Sequence, residues 1–141
     1  MITDYVAAHG LEVKPGAREL MELLQNKSIP MAIGSSNIKR NVEMYLEETA
    51  LSPYIDTIVT ADLVERAKPA PDIFLKAAKN LGLAPRQCLV FEDSPVGVEA
   101  AYTAGCNVIV VPDLIAPCEL TRSRVLQVMG SLEEAWSLFV N

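Results

Sequence analysis

No cluster of basic residues occurs anywhere in the sequence. Its 141 residues carry 12 Lys and Arg against 18 Asp and Glu, a formal net charge of −6. Nucleic acid is therefore not an expected partner, because neutralising backbone phosphates takes clustered positive charge. No apolar run approaches the length of a bilayer span, and the N-terminus shows no signal-peptide pattern. Neither a membrane span nor a secretory route is expected. Cysteine is scarce: Cys88, Cys106 and Cys118 are odd in number and show no metal spacing. Two of them fall in or beside apolar strand-like runs, where Cys acts as a small apolar side chain. A reducing, cytoplasmic setting fits that usage. The single histidine, His9, stands beside Gly10 and reads as a surface or helix-end residue, not a ligand. Internal repeats and low-complexity segments are absent as well.

What is present is a large apolar share, 50% of the residues, in a chain of one-domain length. The stretch that organises it is Val90-Phe91-Glu92-Asp93-Ser94-Pro95-Val96-Gly97. Cys88-Leu89-Val90-Phe91 reads as a buried strand. Two adjacent carboxylates end it. Ser94 can then cap a helix that Pro95 begins, and Gly105 stops that helix beyond Val98, Ala101 and Tyr102. Acidic groups at the carboxyl end of a parallel strand lie where open α/β sheets bind ligands. Paired there, they suit a hard cation such as Mg²⁺. The plain alternative is that Glu92 and Asp93 only solvate a turn and cap a helix.

The remaining units repeat this pattern. Tyr5, Val6 and Leu11 suggest a short helix near the start. Lys14-Pro15-Gly16 opens a helix with Leu20, Leu23 and Leu24 inward and Arg18, Glu19 and Glu22 outward, ended by Ser28-Ile29-Pro30. Met31-Ala32-Ile33 is a strand closing on Gly34-Ser35-Ser36-Asn37, followed by a helix through Val42, Tyr45 and Leu46. The strand Thr57-Ile58-Val59-Thr60 leads to a loop containing Lys68-Pro69-Ala70-Pro71. A helix then buries Ile73, Phe74, Ala77, Ala78 and Leu81 before Gly82. Asn107-Val108-Ile109-Val110-Val111 is another apolar strand, residues 114–124 read as an irregular loop, and 125–128 as a short strand. Ser131-Leu132-Glu133-Glu134 matches a capping box, with Leu132, Ala135, Trp136 and Phe139 facing the core. Apolar strands alternating with helices predict a doubly wound, Rossmann-like parallel sheet covered by helices on both faces.

In such a sheet three chemistry-bearing strand ends share one rim. Ser35, Ser36 and Asn37 offer hydroxyls and N–H groups at a helix N-terminus. Lys68 brings a compact positive charge on a stem stiffened by Pro69 and Pro71. Asp93 can hold a divalent cation. Hydroxyl, ammonium, N–H donors and metal together complement a phosphate. Taken singly, each has an ordinary role as cap, solvated loop residue or turn. Their order at successive strand ends favours the phosphate site.

These residues resemble the haloacid dehalogenase superfamily, in its branch of phosphoglycolate phosphatase, β-phosphoglucomutase and pseudouridine-phosphate phosphatase. The resemblance runs from Lys14-Pro15-Gly16 to the last helix. Its most specific parts are Lys68-Pro69-Ala70-Pro71-Asp72 and Phe91-Glu92-Asp93-Ser94-Pro95-Val96-Gly97, with Ile33-Gly34-Ser35-Ser36-Asn37 a shorter match. It implies that Ser35 bonds the phosphoryl group, with Ser36 and Asn37 near it, and that Lys68 bridges phosphate and nucleophile. It further implies that Asp93 ligates Mg²⁺, with Glu92 a ligand or a partner through water. The expected activity is hydrolysis of a small phosphorylated metabolite through an aspartyl-phosphate.

The resemblance also exposes an absence. The family's nucleophile stands on the first strand in Asp-x-Asp-Gly-(Thr/Val), and no such sequence precedes Ser35; Asp4 and Asp56 lack the second Asp and the Gly. Most of the helical cap is absent too, residues 1–13 reading as the end of its last helix and a linker. Met1 therefore reads as internal to a longer protein, and this chain alone is expected to be inactive. Loss of a central strand leaves a gap of roughly 10 Å, about two strand spacings. Three outcomes are expected: the flanking strands close up, another chain (a second copy included) supplies a strand, or the segment is poorly stable. A phosphomutase of the same branch and a non-catalytic phosphate-binding module are the alternatives in function. A phosphoacceptor receiver domain fits less well, because Lys68 precedes Asp93 in the chain.

Overall fold

The computed structural model describes residues 3–6, 16–111 and 123–139. Strand β1 (Thr3–Val6) is followed by helix α1 (Ala17–Asn26), β2 (Ala32–Ser35), α2 (Lys39–Glu48) and β3 (Thr57–Thr60). Next come α3 (Asp72–Leu81), β4 (Cys88–Glu92), α4 (Pro95–Ala104), β5 (Asn107–Val110), β6 (Gln127–Val128) and α5 (Leu132–Ala135). Among the described residues every strand pairing is parallel. One ladder runs β1-β4-β5-β6 and the other pairs β2 with β3, while β1 also lies against β2.

Residue parity along the strands explains the two layers of helices. Leu89 and Phe91 of β4, Ile33 of β2 and Ile109 of β5 join one apolar cluster, with Leu20 and Leu24 of α1, Leu46 of α2 and Ala135 of α5. Their neighbours Cys88, Val90, Ala32, Val108 and Val110 join the other, with Ile73 and Phe74 of α3 and Val98 and Ala101 of α4. Alternate side chains on a strand point to opposite faces, so apolar residues at every position demand cover on both. The expected doubly wound architecture is the one observed. Gly82 and Gly105 stop α3 and α4 in the left-handed conformation, with φ of 74° and 90°. Cys88 and Cys106 are buried, as their apolar setting predicts, whereas His9, Leu11, Cys118 and most of the 114–124 loop lie outside the described residues.

Several expectations need correction. Residues 3–6 form a strand, not part of a helix. Their register runs from Thr3 opposite Cys88 to Val6 opposite Phe91, so this chain's own residues take the place beside β4. None of the three outcomes expected for a missing strand anticipated that. A β-branched pair, Thr3 and Val6, flanking an aromatic suits a strand once a parallel edge is offered. Met21 joins Leu20 and Leu24 on the buried face of α1, where Leu23 is only half-buried, and Arg18 turns in to donate to the Thr49 carbonyl. Trp136 is 45% exposed and is no core anchor. The capping box at α5 is shifted by one: Ser131 Oγ accepts from Glu133 N–H, but Glu134 reaches back to the N–H of Gly130. The turn that follows, Trp136–Leu138, is a 3₁₀ helix that rotates the indole off the buried side.

Candidate active site

The carboxyl ends of β2 and β4 meet around one side chain. Pairing with β3 carries β2 through Ser35, two residues further than the apolar run alone suggests, and places Gly34 and Ser35 in the sheet. Gly34 shares the parity of Ala32 and faces α3. A Cβ at Gly34 would fall 2.8 Å from Ile73 Cγ2 and 3.0 Å from a ring carbon of Phe74, so glycine is what lets α3 approach the strand. Above that ring lies the Lys68 ammonium, 4.8 Å from its centroid.

Lys68 Nζ donates to the Gly34 carbonyl at 3.1 Å and to Glu92 Oε2 at 2.9 Å. Both side chains of this ion pair are buried, 1% exposed for Lys68 and 0% for Glu92. Glu92 shares the parity of Cys88 and Val90, which aims it at α4. Its second oxygen, Oε1, accepts from the N–H of Asp93 at 3.0 Å and the hydroxyl of Ser94 at 3.4 Å. Burial alone would raise the Glu92 carboxyl. The Lys68 charge and the hydrogen bonds from Lys68 and Asp93 outweigh it and hold the group below its ordinary value. Glu92 is thus an anion whose charge the protein already neutralises. Ser94 Oγ in turn accepts from the N–H of Gly97 and caps α4, with Pro95 at the first helical position, as its sequence predicts.

On the β2 side, Ser35 is buried and its Oγ accepts from the N–H of Asn37 at 3.1 Å. A hydroxyl that accepts in this way still has its own proton to donate. Asn37 Oδ1 accepts from Ile38 N–H and from Asn41 Nδ2, which fixes the start of α2. Ser36 is exposed. The α2 N-terminus is not wholly open to an anion, because Asp62 Oδ1 accepts from the N–H of Lys39 at 3.2 Å. A hydrogen bond from Thr60 Oγ1, with lesser help from Lys39, keeps the Asp62 carboxyl below its usual value.

Lys68 therefore joins the strand ends that carry Ser35 and Asp93, through contacts with the residue before each. The structure brings together Lys68, Glu92 and the Gly34-Ser35 peptide, with Asp93 half-buried at the next position. Gly34, Phe74 and Asp62 carry parts of the site that sequence reasoning missed. Phe74 has a visible signal in its place on the inner face of the helix that Pro71 begins; Asp62 has none, because its partner lies 23 residues away. Asp56, considered and set aside as a nucleophile, is structural: its Oδ2 accepts from Met31 N–H.

A Mg²⁺ ion fits this donor set in a limited way. Among the described residues no three His, Cys, Asp or Glu side chains cluster, so there is no all-protein cage. Mg²⁺ commonly takes only one or two carboxylates and completes its shell with water and substrate oxygens, which the hard oxygens of Asp93 suit.

The haloacid dehalogenase-like hydrolase model matches residues 2–111, most of the chain. The chain belongs to that family. Its sequence is 40% identical over 126 residues to hexitol phosphatase A of Escherichia coli (strain K12), covering 89% of this chain and 56% of that protein. A Thermotoga maritima protein provisionally assigned as a β-phosphoglucomutase superposes with a TM-score of 0.80 at 32% identity, over 88% of this chain and 58% of its own. CbbY from Rhodobacter sphaeroides, crystallised in complex with phosphate, gives a TM-score of 0.79 at 27% identity, over 86% and 55%. The chain spans little more than half the length of these relatives. As a haloacid dehalogenase-like hydrolase, it belongs to a group of phosphatases and phosphomutases. No helix among the described residues is long and apolar enough to cross a membrane.

Proposed function

We propose that this chain forms the greater part of a Mg²⁺-dependent phosphatase core acting on a small phosphorylated metabolite. The observation that carries the reading is the Lys68 ammonium held between the Gly34 carbonyl and Glu92, at the strand ends bearing Ser35 and Asp93. Ser35 donates its hydroxyl proton to a phosphoryl oxygen while Asn37 N–H fixes its Oγ, and Ser36 and Asn37 add contacts nearby. Two of the three Lys68 donors are used within the protein. The third, with the ammonium charge, draws phosphate and an attacking carboxylate together by offsetting their repulsion. Asp93 would hold the Mg²⁺, which when bound neutralises charge on the phosphoryl oxygens. Glu92, with both oxygens engaged by protein donors, acts beside it through water and by fixing Lys68.

The attacking aspartate of this reaction has no Asp-x-Asp-Gly counterpart among the 141 residues, so the chain by itself turns over no phosphate ester. Calorimetry with inorganic phosphate and Mg²⁺ tests the site apart from turnover. Weak binding that falls in Ser35→Ala and in Asp93→Asn is the expected result; binding indifferent to both sinks the assignment. Hydrolysis of p-nitrophenyl phosphate by the chain, abolished by Asp93→Asn, sinks the claim of inactivity. For an intact protein containing this core, a hexitol phosphate is the first substrate to try, given the likeness to hexitol phosphatase A. The likeness to the Thermotoga protein favours a second reading, phosphomutase, which delivers the phosphoryl group to a sugar hydroxyl instead of water. A location in the cytoplasm completes the proposal and rests on the buried cysteines.

A further inference from the structure

Gly97 lies in the first turn of α4, and its backbone has no left-handed conformation to account for the glycine. A helix is weakened by Gly where Ala would serve, so another demand must exclude the side chain there. Space supplies it. A Cβ on Gly97 would fall 1.9 Å from Glu92 Cδ, 2.2 Å from Oε2 and 2.4 Å from Cγ. Oε2 is the oxygen that accepts from Lys68. The carboxylate cannot simply step aside, because Asp93 N–H and Ser94 hold Oε1 and the residue is 2% exposed.

We infer that Gly97 is a positioning residue, an absent side chain on α4 that seats the Glu92 carboxylate where it fixes the Lys68 ammonium. A methyl group at 97 pushes Glu92 off Lys68 and leaves the ammonium misplaced, although Gly97 itself touches neither Lys68 nor phosphate. The part concerning phosphate rests on the function proposed above; the part concerning Lys68 does not.

The test compares the chain with its Gly97→Ala variant in two measurements. Acetylation of Lys68 by acetic anhydride, followed residue by residue in a mass spectrometer, reads whether the ammonium is still held. Calorimetry with inorganic phosphate reads the consequence. We expect Lys68 to be labelled at least about tenfold faster and phosphate to bind about tenfold more weakly, about 1.4 kcal/mol. Gly97→Ala is also introduced into a Lys68→Met/Glu92→Ala background, where the conflict is gone and the melting temperature should hold or rise. A folded Gly97→Ala chain with Lys68 still protected and phosphate affinity unchanged overturns the inference. So does a loss of melting temperature in the charge-free background as large as in the original one, which decides the matter even where the single variant fails to fold. If the original chain binds no phosphate, the proposed function fails, while labelling and melting still decide the role of Gly97.

Discussion

Lys68 and Arg66 stand two residues apart in one loop, and each closes an ion pair of nearly the same length. Lys68 meets Glu92 at 2.9 Å and Arg66 meets Asp72 at 2.8 Å. The side chains of the first pair are 1% and 0% exposed, those of the second 67% and 18%. Distance does not separate them; dielectric surroundings do. A buried pair has given up the hydration of both charges, so each partner depends on the other. An exposed pair keeps water and salt as alternative partners, and little changes when it parts. The Arg66 pair joins a loop to the start of α3, whereas the Lys68 pair ties that loop to β4, and the same ammonium reaches β2 through the Gly34 carbonyl.

The largest effect should come from splitting the buried pair. Lys68→Met leaves a buried carboxylate unmatched and should lower stability by about 3–5 kcal/mol in urea denaturation. Adding Glu92→Leu should recover most of that loss, since replacing both charges together is often neutral. A single variant costing no more than Arg66→Ala would break the comparison.

Next in size is the response to acid. The folded Glu92 carboxyl titrates below its ordinary value of 4.5, so its contribution is complete above that pH and is lost as pH falls through the lower folded value. The Lys68→Met/Glu92→Leu chain should therefore show a flatter acid limb in stability against pH. An unchanged limb would place the acid sensitivity elsewhere, Asp62 being another carboxyl with a depressed value.

Smaller still is Ser35→Ala, which should weaken inorganic phosphate binding roughly two- to tenfold, the range of one net hydrogen bond of about 0.5–1.5 kcal/mol. Secondary structure by circular dichroism should stay unchanged, because the Asn37 N–H that loses its acceptor is only part-buried. Smallest is Arg66→Ala, which should leave the melting temperature nearly where it was, with any difference fading as salt is added. A large, salt-resistant drop would mean that the loop before α3 depends on its exposed pair after all.

Local patterns made most of the fold readable. The strand Thr57–Thr60 and the stops at Gly82 and Gly105 depend on runs of a few residues and on glycine's freedom at positive φ, so neighbours in sequence were enough. Lys68, Glu92 and Ser35 were likewise nameable from strand ends. Residues 3–6 were misread because four residues of mixed propensity follow whichever partner is offered, and that partner, β4, comes 85 positions later. Trp136 was misread because its burial hinges on a single turn winding as 3₁₀.

From the sequence alone came the alternation of apolar strands with helices, and hence a sheet buried on both faces with its chemistry along one rim. Such properties follow from period and composition, which are local. The tertiary structure decided which carboxylate would hold Lys68, that Asp62 would cap α2, and that Gly34 and Gly97 would be empty spaces instead of flexible joints. Those depend on atoms brought into close contact by separate elements, and no neighbour along the chain carries that information.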